Sequence, residues 1–192
     1  MSRRRRAKTP ARRVAARLPG DRASVDTIAR MIRVDQAGEY GAARIYDGQL
    51  AVLKAAAASA AVRRMATQEK RHLERFDQLV AERRVRPTAL SPLWHIAGYA
   101  LGAATAMLGE RAAMACTVAV EEVIDDHYRG QIESLGDGDA DLAAIIAEFR
   151  ADEREHRDTA LTHGATETPG YPLLAAAIKA GSRLAIWLST RI

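Results

Sequence analysis

Two short motifs in the sequence combine a carboxylate and an imidazole at a spacing that can hold a metal ion. They are Glu69-Lys-Arg-His72 and Glu153-Arg-Glu-His156. Residues three apart share one face of a helix, so each motif can bind one ion. A further glutamate precedes each motif, Glu39 by 30 residues and Glu121 by 32. One Glu from each of two helices with Glu-x-x-His from each of two others is the ligand set of dinuclear carboxylate bundles, so the spacing predicts a two-metal site.

The predicted burial of these side chains indicates why metal ions are needed. A buried ionised glutamate is costly without a compensating cation, and two Fe²⁺ would balance the four carboxylates. Oxygen-rich ligands with one imidazole per ion favour Fe or Mn over structural Zn. We expect Glu39 and Glu121 to bridge the two ions. Asp35 and Asp125 share the inward face, where they either orient the ligand histidines or form helix-face salt bridges.

Four amphipathic helices must bring these residues together. The ligands fall within apolar stripes whose steps alternate between three and four residues, which indicates one helix face. Ser24 or Asp26 is expected to cap the first helix, while Pro87 stops the second and Gly164 ends the fifth. No alternating strand pattern occurs in the sequence. We expect helices at about residues 24–53, 60–86, 110–135 and 140–163, with a last amphipathic helix over about 172–191.

A stretch of 23 residues, 87–109, contains no Asp, Glu, Lys or Arg. Ser91 is expected to cap a third helix there, which crosses between the two halves of the bundle. The stretch is long enough to span a bilayer, but its prolines, glycines and His95 favour a helix that lies on the membrane or lines an apolar channel to the metals. The alternative is a helix buried in the core of the protein. Gly98 and Gly102 allow close helix contact, which would suit a dimer or partner interface.

The positive charge of the chain belongs to its first residues. The net charge of the 192 residues is +5, but residues 1–22 carry nine Lys or Arg against one Asp, and the rest carry 20 against 23 acidic residues. A nucleic-acid-binding face is therefore not indicated. We expect a disordered basic tail over residues 1–22 and one helical domain over 23–192. The tail either has no specific role, contacts anionic lipid or resembles a transit segment. Cys116, the single cysteine, is expected in the core.

Several stretches closely resemble the demethoxyubiquinone hydroxylase family. They are Met31-Ile-Arg-Val-Asp-Gln-Ala-Gly-Glu-Tyr-Gly-Ala42, Gln68-Glu-Lys-Arg-His-Leu73, Arg84-Val-Arg-Pro-Thr88 and Ala115-Cys-Thr-Val-Ala-Val-Glu-Glu122. The resemblance covers about residues 24–191. It implies an all-α, ferritin-like four-helix bundle with an extra hydrophobic crossover helix and a C-terminal amphipathic helix. It also implies two Fe ions held by Glu39, Glu69, His72, Glu121, Glu153 and His156.

The same resemblance implies an activity, partners and a location. The family hydroxylates the ring of a polyprenyl demethoxybenzoquinol in ubiquinone biosynthesis, with O₂ as co-substrate. His127 and Tyr128 match a pair linked there to quinone binding and electron transfer. NADH is the expected reductant, although no Gly-x-Gly-x-x-Gly follows a strand, and a separate reductase stays open. Expected partners are the quinone, the membrane surface and a lipid-binding protein of ubiquinone biosynthesis; a homo-oligomer stays open. We expect the cytoplasmic face of a bacterial inner membrane, with the matrix side of the mitochondrial inner membrane as the alternative.

Two other classes of protein fit parts of this pattern. A ferritin-like iron-storage protein or ferroxidase uses the same ligand set, but a storage cage needs a polar outer surface, and the uncharged segment 87–109 argues against it. A metal-free, membrane-binding bundle would explain the apolar segment and leave the paired Glu-x-x-His motifs without a purpose.

Overall fold

A computed structural model describes residues 25–54 and 57–192. The basic tail expected over residues 1–22 and the expected cap at Ser24 lie outside these residues. Within them the chain is all-α, as predicted, with short 3₁₀ turns at Gly136–Gly138 and Ala165–Glu167. The helices are α1 (Val25–Val52), α2 (Ser59–Glu82), α3 (Ser91–Met107), α4 (Glu110–Leu135), α5 (Ala140–Thr162) and α6 (Tyr171–Ser189).

The four long helices α1, α2, α4 and α5 form the bundle, as the sequence predicts. The pairs α1–α2 and α4–α5 make hairpin contacts, and α1 and α2 also contact α4 and α5 respectively. The crossover helix α3 lies along α1, and α6 lies along α4. Asp139 caps α5 by accepting a hydrogen bond from the Leu142 amide at 3.1 Å, and it also pairs with Arg83 after α2. This contact joins the two hairpins at one end of the bundle.

Two apolar layers fill the bundle, one on either side of its middle. The first core layer includes Tyr46, Leu53, Val62, Met65, Met114, Val118 and Ala160. The second core layer includes Ile32, Phe76, Leu79, Tyr128, Leu135, Leu142, Ile146 and Phe149. Each of the four helices contributes to both layers, and the residues between its two contributions are those that the sequence predicts as ligands. The predicted metal site therefore lies at mid-bundle, closed off from water at both ends by packed apolar side chains. Cys116 is fully buried against α6, as expected.

Helix α2 ends four residues earlier than the position that Pro87 alone predicts. Arg84 takes a left-handed conformation with φ of 52°, and the Val85 amide donates back to the Val80 carbonyl. The Arg84 amide donates to the Ala81 carbonyl, which completes a Schellman motif. Val85 is buried in the second core layer, and this apolar contact explains why the chain leaves the helix before the proline forces it to.

Glycines let α3 and α1 approach more closely than helices with side chains at these positions could. A Cβ on Gly102 would lie 1.9 Å from the Ile45 carbonyl oxygen, and one on Gly98 would lie 2.8 Å from that of Gly41. Gly48 of α1 contacts the α3 backbone in return, with the Tyr99 carbonyl oxygen 2.2 Å from its ideal Cβ. The glycine pair expected to serve a dimer or partner interface is thus used within the chain. No helix in residues 25–54 or 57–192 has the length and hydropathy required to cross a bilayer.

Candidate metal centre

The structure brings all of the predicted metal ligands together in the middle of the bundle. They form two groups, each with one candidate ligand atom per residue and all of these atoms within 4.8 Å of one another. The first group is Glu39, Glu69, His72 and Glu153, and the second is Glu69, Glu121, Glu153 and His156. None of these side chains is more than 1% exposed. The helical period placed each one on an inward face, and the bundle then set those faces opposite one another.

The carboxylates shared by the two groups are not those expected to bridge the ions. Glu69 and Glu153 belong to both groups, whereas Glu39 and Glu121 belong to one each. The two oxygens of Glu153 face different histidines, since Oε1 lies 3.3 Å from His72 Nδ1 and Oε2 lies 3.3 Å from His156 Nδ1. The geometry therefore favours Glu69 and Glu153, and not the expected pair, as the shared glutamates. The glutamates of the Glu-x-x-His motifs lie between the two positions, and Glu39 and Glu121 lie at the outer ends.

Burial and mutual repulsion make this cluster unstable without added positive charge. Burial raises the pKa of Glu39, and it raises the pKa of Glu69 and Glu121 well above their ordinary value, with repulsion from Glu153 adding to each shift. Although burial disfavours the imidazolium, Glu153 and Glu39 raise the pKa of His72 to about 11. The surrounding carboxylates therefore favour a positive charge at this position.

The donor atoms of these side chains suit metal ions, and many of them have no hydrogen-bond partner in the part of the chain that the structure describes. Atoms of all these ligands are buried with no hydrogen-bond partner among the described residues, including both carboxylate oxygens of Glu69 and of Glu153 and Nδ1 of both histidines. A buried polar atom without a partner is costly, and buried charges that persist usually coordinate metals. Carboxylates with one imidazole per ion are donors that suit Fe or Mn.

The groups that orient the ligand histidines are not those expected. His72 Nε2 lies 3.0 Å from Asp152 Oδ2, and His156 Nε2 lies 3.1 Å from Gln68 Oε1. Asp35 instead contacts His127 and Gln131, and Asp125 pairs with Arg150 at 2.8 Å. Asp125 therefore forms a salt bridge between α4 and α5, which is neither the expected contact with a ligand histidine nor a pair along its own helix face. Sequence reasoning missed Asp152 and Gln68, although each directly precedes a ligand glutamate.

Two buried tyrosines hold the outer glutamates. The Tyr46 hydroxyl donates to Glu121 Oε1 at 2.8 Å, and the Tyr128 hydroxyl donates to Glu39 Oε1. The resemblance implies a role for Tyr128, whereas Tyr46 was not among the residues predicted to act in the site. The signal that could have found it is its spacing, because each tyrosine lies seven residues after the outer glutamate of its own helix and contacts that of the other.

His127 lies beside the site without being one of its ligands. Its Nε2 is 3.1 Å from the buried Asp35 carboxylate, and its side chain is 21% exposed. Gln131 also donates to Asp35, at 2.8 Å. Of the predicted His127–Tyr128 pair, Tyr128 thus hydrogen-bonds to the candidate ligand Glu39, whereas His127 lies at the edge of the bundle. His95 of α3 contacts the Tyr40 hydroxyl at 2.6 Å and is exposed.

An apolar cavity of about 350 Å³ lies outside the bundle, between α1, α3, α4 and α6. Its lining includes Gly38 and Val120, which directly precede the ligands Glu39 and Glu121 in sequence. Trp94 closes one side, where its indole N–H donates to Ser189 Oγ at 3.0 Å and ties α3 to α6. The same two bundle helices that carry the outer glutamates on one face thus form the wall of an apolar cavity on another.

Comparison with known proteins decides the family. The family model described as Ubiquinone biosynthesis protein COQ7 matches residues 26–189. The chain belongs to the COQ7 family. A 3-demethoxyubiquinol 3-hydroxylase of Rhodospirillum rubrum is 58% identical over 177 residues, which cover 92% of this chain and 84% of the relative. A rat protein named NADPH-dependent 3-demethoxyubiquinone 3-hydroxylase, mitochondrial, is 53% identical over 175 residues, covering 89% of this chain and 79% of the relative.

Similarity extends to a more distant eukaryote. The 5-demethoxyubiquinone hydroxylase, mitochondrial, of Saccharomyces cerevisiae is 42% identical over 180 residues, covering 85% of this chain and 77% of the relative. The predicted family is confirmed, and so is the prediction of a hydroxylating oxidoreductase of ubiquinone biosynthesis. The relatives include a bacterial protein and proteins named as mitochondrial, which supports a bacterial or a mitochondrial location.

Proposed function

We propose that this COQ7-family protein is a di-iron monooxygenase that hydroxylates the ring of a polyprenyl demethoxybenzoquinol with O₂. The observation that carries the proposal is the buried layer of carboxylates and imidazoles with unpartnered atoms. The printed names of the relatives supply the substrate class. Two iron ions, when bound, supply the redox chemistry that activates O₂, and the chain supplies their position and surroundings.

The side chains of the centre divide this work between them. Glu69 and Glu153 would hold both ions, while Glu39 with His72 and Glu121 with His156 would complete one position each. The hydroxyls of Tyr46 and Tyr128 keep the outer glutamates oriented. The two core layers exclude water, which strengthens the electrostatic hold on the cations and protects reactive species from side reactions.

The apolar cavity supports the proposal that the substrate is apolar and elongated. Its lining is almost entirely aliphatic and aromatic carbon, with Ile45, Leu101 and Ile186 among the larger contributors. A polyprenyl tail gains free energy by leaving water for such a surface, at about 25 cal/mol per Å². The glycines and alanines of α1 in the lining leave room for the tail close to the helix backbone.

Attachment to a membrane surface is the second part of the proposal. α3 and α6 expose large apolar side chains, and this exposure does not stabilise a monomer in water. They are Leu93, Ile96, Met107, Leu173, Leu184 and Trp187. Arg191 stacks over the Trp187 ring with its guanidinium carbon 4.1 Å from the ring centre. Aromatic and basic residues side by side are typical of helices that lie in the lipid interface. The inner membrane of a bacterium or mitochondrion is the proposed location, and a lipid-binding protein of the same pathway is the proposed partner.

The proposed electron source is a reduced nicotinamide. The family resemblance implies NADH, and the relatives from rat and from Dictyostelium discoideum carry NADPH-dependent in their names. His127, with part of its ring at the surface and its Nε2 on Asp35, is the proposed residue on the electron path to the centre.

The experiment that tests the proposal is complementation of a strain that lacks this hydroxylation step. Glu153→Ala and His156→Ala should accumulate demethoxyubiquinone, read by quinone mass, and should lose bound iron. Glu155→Ala is the matched control because Glu155 lies on the same helix between the two ligands and is exposed. It should restore ubiquinone. Normal ubiquinone output from Glu153→Ala, or purified protein that binds neither iron nor manganese, would refute the proposal.

A further inference from the structure

The two halves of the bundle place the same residue types around the centre. In α1, Glu39 is followed by Tyr46 and Gln49, and the same spacing recurs in α4 as Glu121, Tyr128 and Gln131. The contacts cross between the halves, since each tyrosine donates to the other helix's glutamate. The two metal positions therefore have closely matched inner ligands: one outer glutamate, one histidine and the two shared glutamates each.

The two halves differ in the charge of the residues that contact the ligand histidines from outside. The residue before each bridging glutamate contacts the histidine of the other motif, and it is Asp152 on one side and Gln68 on the other. His72 therefore has a carboxylate behind its ring, at 3.0 Å, where His156 has a neutral amide at 3.1 Å. The distances nearly match on the two sides, but the chemical group differs, and Asp152 also pairs with the exposed Arg71.

A second difference has the same sign. The position four residues before the outer glutamate is Asp35 in α1 and Thr117 in α4. Gln131 donates to Asp35 Oδ1 at 2.8 Å, and its counterpart Gln49 has its amide nitrogen 3.4 Å from Thr117 Oγ1. Both departures from symmetry put an acidic residue on the side of Glu39 and His72 and a neutral residue on the side of Glu121 and His156.

We propose that the two metal positions are unequal, and that the one formed by Glu39 and His72 binds a divalent cation more tightly than the one formed by Glu121 and His156. A carboxylate that accepts a hydrogen bond from the outer ring nitrogen makes the inner nitrogen a stronger donor to metal than an amide does. It also adds negative charge close to the cation, from a carboxylate that is 20% exposed. The inference rests on the dinuclear site proposed above and adds an order in which its positions fill.

The test is a titration of metal-free protein with Mn²⁺, prepared by chelation and followed by calorimetry. The wild-type protein should bind two ions with dissociation constants about tenfold apart, the change typical of altering a group behind a ligand. Asp152→Asn should weaken the tighter step by about tenfold. Gln68→Glu should strengthen the weaker step. His72→Ala should leave only weak binding, and His156→Ala only tight binding.

Arg71→Gln is the matched control, because exposed Arg71 pairs with Asp152 at 2.6 Å and its removal keeps the carboxylate behind His72. It should not weaken the tighter step. If Asp152→Asn does not fold by circular dichroism, wild-type protein and Gln68→Glu decide the question. Two ions bound with affinities within a factor of about two, and insensitive to Gln68→Glu, would overturn this inference alone. Protein that binds no Mn²⁺ would overturn the dinuclear site itself.

Discussion

Replacing Gly102 with alanine tests whether the crossover helix is held by direct backbone contact. A Cβ there would lie 1.9 Å from the Ile45 carbonyl oxygen and 2.8 Å from its carbon, so α3 and α1 must separate by more than 1 Å to reach ordinary contact at 3.4–4 Å. Overpacking of this kind costs about 3 kcal/mol. Alanine returns about 1 kcal/mol through its higher helix propensity. The expected net loss is about 2 kcal/mol, because the atom it meets is backbone and cannot rotate away.

Thermal unfolding followed by circular dichroism measures this loss. For a chain of this length, about 2 kcal/mol lowers the melting temperature by roughly 4–8 °C. Gly130→Ala is the control, since Gly130 lies in α4 with nothing within 4 Å of a Cβ. That variant should gain up to about 1 kcal/mol from propensity alone. The difference between the two variants isolates the helix contact from the intrinsic effect of alanine.

The same substitution should affect the cavity between α1 and α3. Gly98 and Leu101 of α3 line this cavity together with Gly41 and Ile45 of α1, so a wider separation of the two helices changes the shape of the cavity. Quinone binding should weaken together with stability. If Gly102→Ala melts at or above the wild-type temperature while Gly130→Ala behaves as expected, the close approach of the two helices does not stabilise the fold, and the reasoning fails.

Three further predictions concern the centre, a helix cap and the membrane-facing helices. Chelation should lower the melting temperature, and Mn²⁺ should raise it again, because cations relieve the buried carboxylates. At a hundred times its dissociation constant, each bound ion should add about 2.7 kcal/mol to the free energy of unfolding. An unchanged melting temperature would contradict this. Asp139→Ala should cost about 1 kcal/mol through loss of the cap on the Leu142 amide. Burial tends to raise the pKa of Asp139, but the hydrogen bond from Arg83 holds that pKa below its ordinary value. The stability that ionised Asp139 contributes is therefore present above the ordinary aspartate range and is lost as pH falls through the lowered pKa. Urea titrations at acid and neutral pH should show this loss in wild-type protein and not in the variant. Trp187→Ser with Leu184→Ser should reduce co-sedimentation with anionic vesicles by about tenfold while circular dichroism stays the same, since both side chains are exposed and apolar.

The fold and the ligand set were readable from the sequence because both follow from helix periodicity. Steps of three and four residues put Glu39, Glu69 and Glu121 on inward faces whatever the neighbouring helices do. The absence of charge located the crossover, and the Ser-Pro signal placed its start within one residue. The expected cap at Ser91 is wrong, since Leu90 is the cap and Ser91 the first helical residue. Sequence reasoning also misplaced the end of α2, because the burial of Val85 is a tertiary contact that no local signal at Pro87 reveals.

Relations between different helices could be settled only by the tertiary structure. Which carboxylates lie between the metal positions, which groups stand behind His72 and His156, and which partner the glycines of α3 contact all depend on the distance and register of two packed helices. A sequence period fixes direction around one axis and carries no information about rotation or translation relative to another. The chain by itself determined that acidic and imidazole groups point inward in a form suited to two cations. Packing decided that Glu69 and Glu153 are shared, and that an aspartate supports one histidine where a glutamine supports the other.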